Sequence, residues 1–330
     1  MKRSDHSIPV PGATLGAWWY LPEGPGPHPA IVMAHGFAAV KEMYLDRFAE
    51  RFARAGFAVA VFDHRGFGAS GGEPRQEADP VLQARDYRHV VTWLCAQPEV
   101  DRARIGIWGT SYSGGHVLQA AAVDRRVRCV VAQVPMVSGH AQTQRRVHPG
   151  RLRSMHALFD EERERLAVGQ EPRLRAIIPA GDGGAAVYDA PEAVAFYSQG
   201  PVLAPGWRNE VTLSTVAHSI EYEPGAQVEY ISPTPLLMIV ASEDTITPTD
   251  LALATYQRAG AQEAGAAAGR SFCALCAGLR GRQRRGPGLV RAAPAAARLT
   301  RAALPARGQR SRSRCCAGRS AGATGIWNSG

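Results

Sequence analysis

Short apolar runs separated by amphipathic stretches recur through most of this chain, and that alternation restricts the fold more than any other property of the sequence. Ala30-Ile31-Val32-Met33-Ala34, Phe57 to Phe62, Arg104 to Trp108, Val127 to Val134 and Pro235 to Ala241 are short and apolar enough to be strands buried on both faces. Between them, Leu45 to Ala55 places Leu45, Phe48, Phe52 and Ala55 on one helical face ahead of Gly56, and Asp86 to Leu94 reads as a further helix. Strands and helices that alternate in this way build a mostly parallel sheet flanked by helices, an α/β architecture. A chain of 330 residues, 45% of them hydrophobic, can fill the core of such a domain.

The pattern changes twice. Between Ser138 and about Asn209, charged helical segments such as Arg151 to Val168 and a loop rich in Gly, Ala and Pro replace the apolar runs. An insertion after the C-terminal end of a strand lies over the crevice where open α/β sheets bind ligands, so a helical cap over about 139–210 is expected to shape the substrate pocket. From about Ala264 onward there is no acidic residue and no apolar periodicity, while thirteen Arg occur between Arg270 and Arg319. The chain therefore divides into a domain over 1–263 and an Arg/Ala/Gly/Pro-rich tail over 264–330. Such a tail is either a disordered basic arm or a stretch that has left its original reading frame; the second reading is preferred, because the domain looks cut off before its last strand and helix.

The division also locates the charge. Residues 264–330 carry +13, so the remainder carries −4, the difference between the net +9 and +13. A mildly acidic body argues against specific nucleic-acid recognition, and the tail has only Phe272 and Trp327 as aromatics, which leaves nonspecific adhesion. Cys273-Ala274-Leu275-Cys276 has the spacing of half a zinc site, but adjacent Cys315-Cys316 make a poor second half, so unpaired thiols and no metal are expected. No apolar run reaches 18 residues and the start of the chain has no signal-peptide stretch, which makes a cytoplasmic location without membrane contact the expectation.

Chemistry concentrates at Gly109-Thr110-Ser111-Tyr112-Ser113-Gly114, which follows a strand and opens a helix. A serine hydroxyl needs an adjacent base, an orienting acid and donors for a tetrahedral oxyanion. A strand–turn–helix elbow holds the serine exposed, provided that the residues two before and two or three after it are small. Gly109, Ser113 and Gly114 meet that need around Ser111. Ser113 is a rival register, since Ser111 and Gly115 flank it equally, but Ser111 follows the strand more closely.

Gly-Thr-Ser-Tyr-Ser-Gly-Gly resembles the elbow of serine α/β-hydrolases in the X-Pro dipeptidyl peptidase, cocaine esterase and dienelactone hydrolase groups. His35-Gly36-Phe37 resembles their oxyanion loop, and Asp63-His64-Arg65-Gly66-Phe67-Gly68-Ala69-Ser70 their Asp-x-Arg-Gly-x-Gly-x-Ser turn; together the match covers about residues 8 to 256. The resemblance implies the α/β-hydrolase fold, no cofactor, Ser111 as nucleophile, and the backbone N–H groups of Phe37 and Tyr112 as oxyanion donors. His35 is implied to be structural, and Asp63 and Arg65 to fix their turn. Asp244, in Ala241-Ser242-Glu243-Asp244 after the strand at 235–241, is the candidate acid, with Glu243 next and a loop-capping role as its alternative.

The base is missing from its place. The ten histidines are His6, His28, His35, His64, His89, His116, His140, His148, His156 and His218, and none follows Asp244. His116 and His218 do not fit the position. The expectation is thus a serine hydrolase by ancestry, acting on an ester or related acyl bond of a small molecule through an acyl-enzyme, and impaired in this chain. A non-catalytic hydrolase-like binding protein is the alternative, as is a basic tail that holds nucleic acid nonspecifically; oligomeric state is left open.

Overall fold

A computed structural model of the chain describes residues 1–181, 184–260 and 262–267. The chain opens with a hairpin that the apolar-run pattern does not reveal: β1 (Lys2–Val10) and β2 (Ala13–Leu21) pair antiparallel across a tight turn. Gly12 in that turn has φ 78°, a left-handed conformation that costs glycine nothing. β1 buries only Ile8 and Val10 against the sheet, so its polar sequence carries little hydrophobic signal.

The elements then alternate as the sequence predicts. β3 (His28–Ala34), α1 (Leu45–Arg54), β4 (Ala58–Phe62), α2 (Pro80–Cys95), β5 (Val100–Thr110), α3 (Tyr112–Val123) and β6 (Val127–Gln133) follow in turn. α2 starts six residues before Asp86, because the Asp79 side chain accepts from the Val81 and Leu82 N–H groups and Pro80 occupies the first helical turn. β4 shows why the central strands are apolar throughout. Its Ala58, Ala60 and Phe62 pack with Tyr87 and Leu94 of α2 and Leu118 of α3 on one face, and its Val59 and Val61 with Leu45, Ala49 and Ala53 of α1 on the other.

Between β6 and the next sheet strand the chain inserts α4 (Gly139–Arg146), α5 (Pro149–Ala167), β7 (Leu174–Ala176), α6 (Pro191–Tyr197), α7 (Gly200–Leu203), β8 (Glu210–Thr212) and α8 (Leu213–Glu221), then a 3-10 helix at Pro224–Ile231. The insertion runs past residue 210 and includes a two-stranded antiparallel sheet of β7 and β8, where the sequence suggested helices and loop alone. Ile177, Tyr188, Phe196, Tyr197, Trp207 and Val211 from this segment join the core on the α1 side of the sheet.

β9 (Leu236–Ala241), α9 (Thr249–Tyr256) and β10 (Gln262–Ala267) complete the described chain. Among the described residues the main sheet has eight strands in the order β1-β2-β4-β3-β5-β6-β9-β10, parallel from β4 through β10. The backbone thus provides an edge strand at Gln262–Ala267, parallel to β9, across the boundary at 263 beyond which the sequence suggested no strand. The closing helix, the thirteen Arg, Cys273 and Cys276 all fall outside the described residues. Among the described residues no helix is long and apolar enough to cross a membrane.

Candidate active site

Ser111 stands in the turn between β5 and α3 with φ 56° and ψ −116°, the strained geometry of a residue lifted out of the sheet at a strand's end. The flanking glycines are steric necessities. A Cβ on Gly109 would lie 2.1 Å from the Ser113 carbonyl oxygen, and one on Gly114 would lie 2.8 Å from Pro135 Cα. The Ser111 N–H donates to Gln133 O at 2.8 Å and its carbonyl accepts from Met136 N at 2.9 Å, so β6 grips the turn from the side.

Ser113 is elsewhere. It is fully buried, its hydroxyl donates to His35 O, and His64 Nε2 lies 2.7 Å from its oxygen. With the Ser113 proton committed to His35 O, the His64 proton sits on Nε2 and donates to Ser113. His64 Nδ1 then remains as a buried acceptor without a partner among the described residues. This bridge fastens the helix after the elbow to His35, at the start of the His35-Gly36-Phe37 loop. It is a structural role that the sequence's Ser-x-Ser ambiguity concealed.

The loop from His35 to Lys41, which includes the candidate oxyanion donor Phe37, is held by several contacts. Gly36 approaches the elbow so closely that a Cβ there would meet Ser111 Cβ at 3.2 Å. Among the described residues, no hydrogen bond engages the backbone N–H of Phe37 or that of Tyr112, the first residue of α3. The loop's carbonyls, by contrast, are taken: Tyr197 OH donates to Phe37 O at 2.5 Å and Trp207 Nε1 donates to Ala38 O at 2.8 Å. Beyond them, Lys41 Nζ and its own N–H reach the two carboxylate oxygens of buried Asp63 at 2.6 and 2.7 Å, and Ala69 N–H adds a third donor. Arg65 pairs through two nitrogens with buried Asp86 at 2.7 and 2.6 Å. Asp63 and Arg65 thus spend their main bonds within the turn and on α2.

Three histidines lie beneath the elbow, all buried. His35 Nδ1 donates to Gly36 O at 2.9 Å while Nε2 accepts from the His64 N–H at 3.1 Å, which makes the ring a neutral strut. His116 is enclosed by Tyr222 OH at 2.8 Å and Gln83 Oε1 at 3.0 Å, and burial pushes its pKa down to about 3. Burial also lowers His35, and lowers His64 well below the ordinary histidine value. His218 faces Ala78 O instead. No hydrogen bond joins Ser111 Oγ to any histidine among the described residues.

Asp244 follows β9 at the same C-terminal edge of the sheet as Ser111 and is largely buried. Its Oδ1 accepts from the Ile246 and Thr247 N–H groups at 2.9 and 2.7 Å, and its Oδ2 from the Thr247 hydroxyl at 2.7 Å. Those bonds close the loop that leads into α9, and they orient the carboxylate whatever else it meets. Glu243 is exposed.

A cavity of about 290 Å³ opens beside the elbow, with Phe37 and Tyr112 at its base and residues of α4, α5, β7, α8 and the strip 186–189 as walls. That volume is at the small end for ligand pockets. Its walls are mixed: Met136, Val147, Met155, Leu158, Phe159 and Val216 give apolar surface, and Gln142, Thr143, Arg146, Arg175, Asp189 and Ser219 polar surface.

A family model for X-Pro dipeptidyl-peptidases (S15 family) matches residues 11–262. The chain belongs to the S15 family. Within that family's wider kin it is 31% identical over 257 residues to an uncharacterized 31.7 kDa protein of Escherichia coli, covering 78% of this chain and 85% of that one. It is 34% identical over 252 residues to the thiohydrolase aneE of Aspergillus aculeatus, covering 73% and 77%. Among solved structures, the α/β hydrolase GrgF from a Penicillium species superposes with a TM-score of 0.74 at 27% identity, over 85% of this chain and 95% of that one. This S15 chain is therefore an α/β-hydrolase by ancestry and by fold.

Proposed function

We propose that this chain is a serine hydrolase site that attacks ester or thioester bonds of a small acyl substrate through an acyl-enzyme on Ser111. The observation that carries the reading is the strained Ser111 in the turn next to Tyr112, which with Phe37 forms the base of the cavity; Gly36 packs against Ser111, and the Phe37 and Tyr112 N–H groups are unengaged among the described residues. In the reaction Ser111 Oγ attacks the acyl carbon, and the two N–H groups stabilise the oxyanion that forms. Expulsion of the alcohol or thiol then leaves the acyl-enzyme for water to hydrolyse. The thiohydrolase relative favours the thioester branch. Asp244 would orient a base, and no histidine follows it in the sequence, so the chain as it stands turns over slowly. Loss of a triad member leaves roughly 10³- to 10⁴-fold acceleration from the remaining machinery.

The test is labelling of the full chain by a fluorophosphonate. Slow labelling that disappears in Ser111→Ala is the expected result; labelling that persists in Ser111→Ala, or none after prolonged incubation, sinks the assignment. Reading the coding DNA in its other frames from about residue 258 tests whether a Gly-His loop and closing helix were displaced.

A further inference from the structure

The arginines of the insertion differ in what neutralises them, and two pairs make the contrast. Arg145 is paired with Asp250 at 2.5 and 2.7 Å, and Arg173 with Glu162 at 2.6 Å and Glu161 at 3.0 Å. Arg146 and Arg175 have no acidic partner among the described residues, and both line the cavity beside the elbow. Arg146 donates to Val187 O at 3.0 Å, and its guanidinium stands 4.9 Å over the Tyr188 ring. The side chain of half-buried Arg175 makes no hydrogen bond or ion pair among the described residues. Its strand β7 runs beside the same strip: Val187 N–H donates to Ala176 O and Tyr188 N–H to Ile177 O, each at 2.9 Å. Tyr188 in turn meets Phe37 edge-on at 5.6 Å. The two cations thus border one short strip whose far side touches the oxyanion loop.

An arginine keeps its charge at any ordinary pH; Arg146 is exposed and Arg175 half-buried, so the Arg175 charge is the less screened of the two. The cavity holds one carboxylate against two cations, Asp189, which is exposed. The lining is left with one uncompensated positive charge. We propose that Arg146 and Arg175 form an anion subsite that takes a single carboxylate at the far end of the acyl group, so that the preferred substrates are short ω-carboxyacyl esters or thioesters. The inference rests on Ser111 as the point of attack, and it names the acyl group presented there.

The experiment measures binding, so it does not need turnover. Monomethyl adipate and dimethyl adipate are titrated calorimetrically into the full chain carrying Ser111→Ala. The half-ester, with one free carboxylate, is expected to bind about tenfold tighter than the neutral diester, a margin that added salt reduces. Arg146→Gln and Arg175→Gln each shrink the margin and together abolish it, while diester binding stays within about twofold because its apolar contacts remain. Arg175→Lys retains part of the margin, which separates loss of charge from loss of fold. A half-ester that binds no tighter than the diester, including the case in which neither binds, overturns the proposal. So does a preference that survives the double glutamine variant. Failure of fluorophosphonate labelling would bear on Ser111 alone and leave the binding preference readable.

Discussion

Gly36 and Ser111 are in such close approach that a methyl group on the Gly36 α-carbon would stand 3.2 Å from Ser111 Cβ and 3.3 Å from Thr110 O. The loop that offers Phe37 N–H has no slack at this point. Gly36→Ala is expected to push the loop back by a few tenths of an ångström and slow fluorophosphonate labelling by roughly tenfold, less than the loss of a whole oxyanion donor. Melting should move little. An unchanged labelling rate would mean that the loop does not serve the oxyanion.

Gly109→Ala behaves differently, because its Cβ would lie 2.1 Å from the backbone oxygen of Ser113. No side-chain rotation relieves a clash with main chain. The variant is expected to lose about 3 kcal/mol or more, at or above the top of the range for overpacked sites, read as a lower midpoint in urea unfolding.

The buried histidines give stability a pH signature. His35, His64 and His116 are all held below the ordinary value of 6.5 by burial, His116 at about 3. The unfolded chain takes up protons near pH 6.5 while the folded chain does not, so their contribution is complete above that pH and drains away as pH falls toward 3. Thermal midpoints should be level from pH 7 to 8 and fall below about pH 6, with a slope steeper than one proton. A midpoint that holds steady down to pH 4 would contradict the burial of the three rings.

If Ser111 is the nucleophile and no histidine after Asp244 serves it, imidazole supplied from solution should act as its base. Hydrolysis of p-nitrophenyl acetate by the full chain is expected to rise by roughly tenfold at high imidazole, part of the 10²- to 10⁴-fold that a positioned base contributes. The Ser111→Ala chain serves as the blank, since imidazole cleaves such esters unaided. Equal rates for the two chains would show that Ser111 lacks its nucleophilic role.

The central strands and the elbow were legible because they obey local rules. β3, β4, β5, β6 and β9 are apolar runs bounded by turn residues, and Gly109 and Gly114 sit where an elbow around Ser111 demands small residues. β1 was not legible, because only Ile8 and Val10 face the core. The early start of α2 was available in Asp79-Pro80, a capping residue followed by proline. The supports of the oxyanion loop were beyond reach, since Tyr197 and Trp207 lie 160 and 169 residues from the carbonyls they hold. No local pattern marks an aromatic as a donor to a distant loop. Ser113 could have been assigned by its pairing with His64, but that contact spans 49 residues and also exists only in the fold.

The bonds from Tyr197 to Phe37 and from Trp207 to Ala38 make the insertion a bracket for the backbone of the proposed oxyanion loop as well as a wall of the pocket. A segment exchanged between relatives to change substrate range would have to bring both aromatic donors with it, or the recipient would forfeit rate while gaining a new pocket. Substitutions that reshape the pocket of this chain without disturbing that loop would therefore fall between the two anchors and the cavity, with the anchors left as a fixed hinge-pin.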